Sequence, residues 1–386
     1  MRVGIDVSPI TRGRTGVGQY TYSLLKCLLA LSGPDSAISN PQCAIEFEGL
    51  STGWRGLDLA DLPLRRHVHL PVPTRVMYGC WNALRWPQVE RLLGPLAVYH
   101  ATNYFLPPVR KARRVVTFYD LAFLRVPELC SPAIVGPFSR QIRRFATEAD
   151  AIITCSRATR DDIVDLLDTP EAKIHVAYGG VAAEFRPSPS DSSDAGENES
   201  ALAREYGIQP PFLLFVSTLE PRKNVEGLLH AFALVQQEIP HQLVLIGREG
   251  WQEQPTAVLA ERLGLAGRVK ILGYLRRHED LARFYAAAEA FVFPSLYEGF
   301  GLPVLESLAC GCPVITSDRA ALPEVAGDAA LFVDPDDVGS IAAAIRRLAG
   351  DAQLRAHLRG QGPIQAAKFT WEGCARATLD VYRSLA

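Results

Sequence analysis

The sequence predicts an α/β protein built as two doubly wound, Rossmann-like domains, and three observations carry that expectation. Short apolar runs alternate with helix-period segments along most of the chain. The rhythm breaks once, in the polar stretch 187–200, and then restarts. The length, 386 residues, holds two domains at roughly 100–200 residues each. Such alternation builds parallel sheets covered by helices, and parallel strands, buried on both faces, read as continuous apolar runs.

Residues 3–7 form the first run, and residues 16–31 follow with Tyr20, Leu24, Leu25, Leu28 and Leu31 at helical spacing. Later strand-like runs are 115–118, 151–154 and 174–177, with helix-like stretches at 137–148 and 158–167. Beyond the polar stretch, 212–216, 242–246, 269–272, 290–293 and 314–316 read as buried strands. Helices are expected at about 224–238, 254–264, 278–288, 303–310, 338–348 and 371–385. The expected organisation is a first domain over 1–183, a polar linker over 184–210, a second domain over 211–365 and a last segment over 366–386. No internal repeat argues for a solenoid or propeller.

Composition narrows the function. Lys plus Arg is 40 and Asp plus Glu is 42, for a net charge of −2. That balance argues against a dedicated nucleic-acid binder, and a 48% hydrophobic content argues against disorder. The charge is uneven: residues 1–183 carry 21 basic and 16 acidic side chains, the remainder 19 and 26. A basic first half suits an anionic neighbour, although unrelated two-domain proteins show similar asymmetry. The eight cysteines are scattered without a CxxC. No apolar segment with a cleavage site follows the first residues, and no apolar run approaches ~18 residues. The expectation is a cytoplasmic protein whose cysteines act as small buried hydrophobes.

The densest chemical signal is Pro294-Ser295-Leu296-Tyr297-Glu298-Gly299-Phe300-Gly301-Leu302-Pro303, running into Val304-Leu305-Glu306. A strand ends at Phe293 and a helix begins near Pro303, which suits a first turn. Residues 299–302 then sit at a helix N-terminus, where backbone N–H groups attract anions. Glu306 lies among apolar neighbours, where a carboxylate needs a partner; a ligand hydroxyl supplies one, and Glu298 and Glu306 are expected to face one ligand. The second signal is Ser217-Thr218-Leu219-Glu220-Pro221-Arg222-Lys223-Asn224, again strand, loop and helix. The helix dipole disfavours cations there. A bound diphosphate would reverse the penalty, matching the fork of Arg222 and the point charge of Lys223.

Together these segments resemble the signature of glycosyltransferase family 4, whose members are retaining, nucleotide-sugar-dependent enzymes of the GT-B fold. Residues 218–224 resemble the phosphate-binding segment of a subgroup rich in bacterial mannosyltransferases, and Leu272-Gly273-Tyr274-Leu275 and Leu322-Pro323-Glu324-Val325-Ala326-Gly327 are also similar. The resemblance implies two domains facing across a cleft, an acceptor-side first domain, a nucleotide-sugar-binding second domain, and a last helix packing back on the first. It implies that Arg222 and Lys223 hold the donor diphosphate and that Glu298 contacts the donor sugar. Backbone groups of Phe300, Gly301 and Leu302 would lie near sugar and phosphate, with Glu306 on the ribose and Gly273, Tyr274 and Leu275 at the base. Ser217 stands where some members have arginine, which leaves more of the phosphate load to Arg222 and Lys223; Ser217 and Thr218 complete the donor loop.

In the first half, Gly16 and Gly18 open a helix after the first strand. The glycine pair lacks a dinucleotide fingerprint, since position 21 is Thr; the resemblance places it against the donor phosphates. Tyr119-Asp120 falls at a strand end where the family often has His-Asp. Tyrosine, with a reference pKa of about 10, is a poor base; a front-face mechanism needs none if the leaving phosphate takes the acceptor proton. His100 and Asn103 at another strand end are acceptor-side candidates, with a structural role as the alternative. The stretch 75–94 carries Trp81, Trp86, Arg85 and Arg91 among apolar residues, which fits either an inner-leaflet membrane contact or a helix covering its core.

No metal or cofactor is expected. Asp334-Pro335-Asp336 reads as a turn and helix cap. Cys310 and Cys312 lack a second ligand pair for zinc. The sequence thus reads as a retaining hexosyltransferase taking a nucleotide sugar to a saccharide or lipid-linked saccharide of a bacterial surface polysaccharide. GDP-mannose is the donor expected from the subgroup. UDP- or dTDP-sugars, an epimerase or phosphorylase on the same fold, and a non-catalytic nucleotide-sugar-binding partner are the alternatives.

Overall fold

The structure, a computed structural model, describes residues 1–11, 16–32, 45–54, 56–187, 198, 201–202, 204–251, 254–275 and 277–386. The chain divides into two compact units. The first comprises Met1–Arg125, Pro132–Gly180 and Thr370–Ala386; the second comprises Val126–Ser131 and Val181–Phe369.

The first unit holds seven parallel strands: β1 Arg2–Asp6, β2 Glu46–Thr52, β3 Arg66–Leu70, β4 Val98–Ala101, β5 Arg113–Phe118, β6 Ala151–Thr154 and β7 Ile174–Val176. Their order is β3-β2-β1-β4-β5-β6-β7. The second unit holds six: β8 Phe212–Val216, β9 Gln242–Ile246, β10 Val269–Ile271, β11 Ala290–Phe293, β12 Val314–Ser317 and β13 Ala330–Val333, ordered β10-β9-β8-β11-β12-β13. Both sheets follow the doubly wound pattern, with strands added outward in each direction from a central pair. Interior strands covered by helices on both faces are the most buried: every residue of β4, β6, β8, β11 and β12 is buried.

Two strands lack an apolar run in the sequence. β2 reads Glu-Phe-Glu-Gly-Leu-Ser-Thr, yet all but Glu46 is buried. Its Glu48 is neutralised from both sides, by Arg2, whose Nε lies 2.9 Å from Oε1, and by Arg65 at 3.4 Å. β3 is an edge strand, and its mostly exposed Arg-His-Val-His-Leu pattern follows from that place.

The helix Trp371–Leu385 belongs to the first unit and packs on Gly16–Ser32. Tyr20 meets Trp371 edge-on at 5.2 Å, and its hydroxyl lies 3.2 Å from Cys374 Sγ. The unit boundaries fall after Gly180 and Phe369 rather than after 183 and 365. The described flanks of the expected linker are packed, because they carry apolar anchors: Phe185 sits against Tyr285 at 5.9 Å, and Leu202 and Ile208 are buried. Most of the polar stretch, 188–197, 199–200 and 203, lies outside the described residues, as do 12–15 of the glycine loop and Cys43.

The stretch 75–94 is two helices, Thr74–Leu84 and Val89–Leu93. Met77, Trp81, Val89 and Leu93 face the core, and Trp81 Nε1 donates to the Pro87 carbonyl at 2.9 Å. Val76, Leu84 and Trp86 are exposed. Among the described cysteines no disulfide forms; Cys155, Cys310, Cys312 and Cys374 are buried, while Cys27, Cys80 and Cys130 are partly exposed. Among the described residues no helix is long and apolar enough to cross a membrane.

Candidate functional site

In each sheet the strand order reverses once, between β1 and β4 and between β8 and β11. Loops leaving those neighbours turn to opposite faces, which opens a crevice at the carboxyl ends of the strands. In the second unit the loops flanking it are 217–224 after β8 and 294–301 after β11.

The first loop is held by its own backbone. Ser217 N donates to Ile246 O at 3.0 Å and Leu219 N to Arg248 O at 2.8 Å. Residues Pro221–Lys223 form one tight turn, and Asn224, at φ 57°, starts the helix Val225–Val235. Asparagine tolerates that left-handed backbone; its side chain accepts from Gly227 N at 3.2 Å and donates to Pro335 O at 2.7 Å. Gly247, at the end of β9, sets the loop from below: an added Cβ would lie 1.6 Å from Ser217 O. Gly247→Ala is therefore expected to displace the loop and destabilise the fold by about 2 kcal/mol. A denaturant melt reads the loss, and an unchanged midpoint would show that the loop accommodates a side chain.

The two loops meet in a buried ion cluster. Lys223 Nζ contacts Glu298 Oε1, and Ser295 Oγ donates to the same oxygen at 2.8 Å. Arg222 donates to the Tyr297 carbonyl at 2.8 Å, to Glu220 at 3.0 Å and to Glu298 Oε2 at 3.4 Å. Leu296 N donates to Arg222 O at 2.9 Å, which ties the loops backbone to backbone. Glu298 is 7% exposed and Lys223 8%. Burial alone would raise the Glu298 carboxyl, but Lys223, Arg222 and the Ser295 hydroxyl outweigh it and hold the group below its ordinary range. Burial, with Arg222 nearby, pulls the Lys223 ammonium down, against the opposing pull of Glu298. The sequence reading brought Arg222, Lys223 and Glu298 forward but passed over Ser295 and Glu220, both inside its own motifs.

Beyond Glu298 the backbone turns at Gly301, φ 100°, into the helix Leu302–Ala309, which has no side-chain cap at its N-terminus. A Cβ on Gly301 would lie 2.7 Å from Leu322. Phe300 is buried edge-on against Phe369 at 5.8 Å. Leu302 opens the helix, and Glu306 follows one turn on, half-buried. The hydroxyl of Tyr285 donates to Glu306 Oε2 at 3.2 Å, and burial pushes the carboxyl up to about 8. Glu298 and Glu306 thus have different partners and opposite shifts. Tyr285 sits on another helix, His278–Ala287, so no local motif announces it.

Ser217 is half-buried and Thr218 exposed. Gly273, φ 68°, accepts from Gly247 N at 2.8 Å and leads to the half-buried Leu275. Tyr274 is 42% exposed with the Arg248 guanidinium 4.5 Å from its ring centre.

In the first unit Gly16 and Gly18 fall inside the first turn of Gly16–Ser32, Gly16 exposed and Gly18 buried. Of the acceptor-side candidates, His100 and Tyr119 are engaged in hydrogen bonds within the unit. His100 is fully buried on β4; Nδ1 meets Tyr382 OH at 2.6 Å and Nε2 meets Thr117 Oγ1 at 2.7 Å, and burial pulls its pKa down to about 3. With both nitrogens engaged in the core it cannot touch an acceptor. The Tyr119 hydroxyl donates to the Thr102 carbonyl at 2.6 Å, and burial raises it further above the range of a base. Asp120 accepts from Ala122 N at 3.1 Å at the start of a short helix. Asn103 lines an open cavity.

Asp334 accepts from Asp336 N at 3.1 Å and pairs with Arg319 at 2.7 Å, a turn held by an exposed ion pair. The cap of the helix Val338–Gly350 is Asp337, accepting from Gly339 N at 2.7 Å. Among the described residues no group of three or more His, Cys, Asp and Glu side chains forms a metal-type cluster.

The family model for glycosyl transferases group 1 matches residues 200–364, which contain this crevice, and that for glycosyltransferase family 4 matches residues 14–185. The chain is 36% identical over 397 aligned positions to O-antigen chain mannosyltransferase B of Escherichia coli, covering 100% of both chains. Among solved structures it is similar to a sucrose-phosphate synthase from Thermosynechococcus elongatus, with a TM-score of 0.74, 19% identity and coverage of 100% and 99%. It is also similar to Anabaena Alr3699/HepE in complex with UDP and glucose, with a TM-score of 0.71, 17% identity and coverage of 99% of each chain. Two Rossmann-like units, a cationic loop facing a glycine-led helix, and family matches over both halves make this chain a GT-B glycosyltransferase of group 1 and family 4.

Proposed function

We propose that the protein is a retaining mannosyltransferase that takes mannose from GDP-mannose to a saccharide or lipid-linked saccharide acceptor of a bacterial surface polysaccharide. The observation that carries the transferase chemistry is the Arg222–Lys223–Glu298 cluster beside the helix N-terminus at the β8/β11 crevice. Similarity to an O-antigen mannosyltransferase supports the sugar.

In this reading Arg222 and Lys223 take the donor diphosphate, with Ser217 and Thr218 on the same loop. Phe300, Gly301 and Leu302 present backbone groups to phosphate and sugar. Glu298 meets the mannose, Glu306 the ribose, and Gly273, Tyr274 and Leu275 the base. The bond from the anomeric carbon to the diphosphate breaks as the acceptor hydroxyl attacks on the same face, and the departing phosphate oxygen takes the hydroxyl proton. The two cations and the helix N-terminus stabilise that developing charge by preorganisation. The same groups supply the neutralisation that a divalent ion supplies elsewhere. The exposed Val76, Leu84 and Trp86 beside Arg75 and Arg85 support a peripheral contact with an anionic leaflet.

A thermal-shift panel with GDP, UDP, ADP and dTDP, each beside its common sugars, tests the donor. A ligand at about 100 times its dissociation constant stabilises by about 2.7 kcal/mol. A shift selective for GDP and GDP-mannose is expected. A shift selective for UDP or dTDP would retain the transferase and remove the mannose donor. No shift with any nucleotide would favour a non-catalytic role.

A further inference from the structure

A cavity of about 560 Å³ opens at the carboxyl ends of β1 and β2 in the first unit, beside Asn103 after β4. That volume lies within the roughly 300–1,000 Å³ of sites for small organic ligands. Its described walls carry the hydroxyls of Ser8, Thr11, Thr52 and Thr74, the carboxamide of Asn103 and one aromatic ring, Trp54.

Two features make this a prepared surface. Thr52 N donates to Ser8 Oγ at 3.0 Å, and Thr52 Oγ1 donates to Thr74 Oγ1 at 3.1 Å, so the hydroxyls are set by one another and by the strand end. Trp54 is 77% exposed, yet its indole nitrogen donates to the Pro71 carbonyl at 3.0 Å. The ring is pinned at its polar edge while most of the side chain stays exposed. Leaving so large an apolar face uncovered forgoes burial energy that other aromatic rings of this unit gain.

A sugar ring complements such a wall: its C–H face lies on an indole while its hydroxyls exchange hydrogen bonds with Ser, Thr and Asn side chains. We infer that Trp54 is the stacking platform for the acceptor sugar, with Thr11, Thr74 and Asn103 binding its hydroxyls, and that Trp54 sets acceptor selectivity. This rests on the transferase reading above and specifies its acceptor site.

The test compares Trp54→Ala and Trp54→Phe with the unaltered protein in steady-state transfer from GDP-mannose to methyl α-mannoside and α-mannobiose. Trp54→Ala should raise the acceptor KM by about tenfold, or about 1.4 kcal/mol, with donor KM within about twofold, while Trp54→Phe restores most of the loss. A second readout needs no turnover. Tryptophan fluorescence titrated with the same two glycosides should respond in the unaltered protein and lose that response in Trp54→Phe. An unchanged acceptor KM in Trp54→Ala, or a response that persists in Trp54→Phe, overturns the inference. If no nucleotide sugar is turned over, the mannosyltransferase reading fails instead, and the titration alone decides whether Trp54 meets a sugar.

Discussion

Glu298→Gln is expected to lose sugar transfer by at least about 100-fold, the scale of a lost transition-state contact, while GDP binds as well as before or more tightly. The amide keeps the shape and still accepts the Ser295 hydroxyl, but it removes the anion that Lys223 and Arg222 share. Two cations without their carboxylate attract a diphosphate more strongly and no longer hold the sugar-facing group. Glu298→Ala should add a cost in stability of about 3–5 kcal/mol, because a buried Lys223 is left without its partner. The sign of the pH dependence follows from the lowered carboxyl. Its contribution is present above the ordinary value of 4.5 and is lost as the pH falls through the folded value. Acid melts of Glu298→Gln should therefore be flatter than those of the unaltered protein. A variant that transfers sugar at the original rate would remove Glu298 from the site.

Glu306 should produce the opposite pH signature. Its carboxyl is raised from 4.5 to about 8. The stability it confers is full below pH 4.5, declines as the pH rises and is gone above about pH 8. At about 1.4 kcal/mol per unit, the effect amounts to a few kcal/mol across that window. Glu306→Gln should melt higher than the unaltered protein at pH 9 and show little of this slope. Ribose hydroxyls would donate to the ionised form, so in the proposed role binding releases a proton. Nucleotide affinity should then climb with pH until about 8 and level off. Calorimetry in buffers of different ionisation enthalpy would register the released proton in the unaltered protein and none in Glu306→Gln. Equal affinity and equal proton release in both would place the ribose elsewhere.

The second unit was legible because its strands are buried on both faces and read as plain apolar runs, Phe-Leu-Leu-Phe-Val in β8 and Ala-Phe-Val-Phe in β11. Its site was legible because both halves of the ion cluster lie in short strand-to-helix loops, where spacing and chemistry coincide. β2 was not legible, since its burial depends on Arg2 and Arg65 neutralising Glu48. The helix Ala352–Ala366 was hidden by Gly360, Gly362 and Pro363. Gly362 stands where a Cβ would come 2.8 Å from the Leu308 carbonyl, so a poor helix former is needed for the packing. His100 was left open between an acceptor contact and a structural role for a related reason: its partner Tyr382 lies 282 residues away. Trp54 carries no local motif, and only its exposure beside a cavity distinguishes it.

The route of the chain through the first unit orders events on the ribosome. Tyr20, Phe47 and His100 find Trp371, Cys374 and Tyr382 only after residues 370–386 have been made. The second unit, by contrast, ends at Phe369. The later-made unit is thus complete in the message before the earlier-made one, the reverse of the usual N-terminal lead. The earlier-made unit waits with an open seam along Gly16–Ser32 and a histidine lacking its tyrosine. A stop codon ahead of residue 370 would injure the unit at the opposite end of the message.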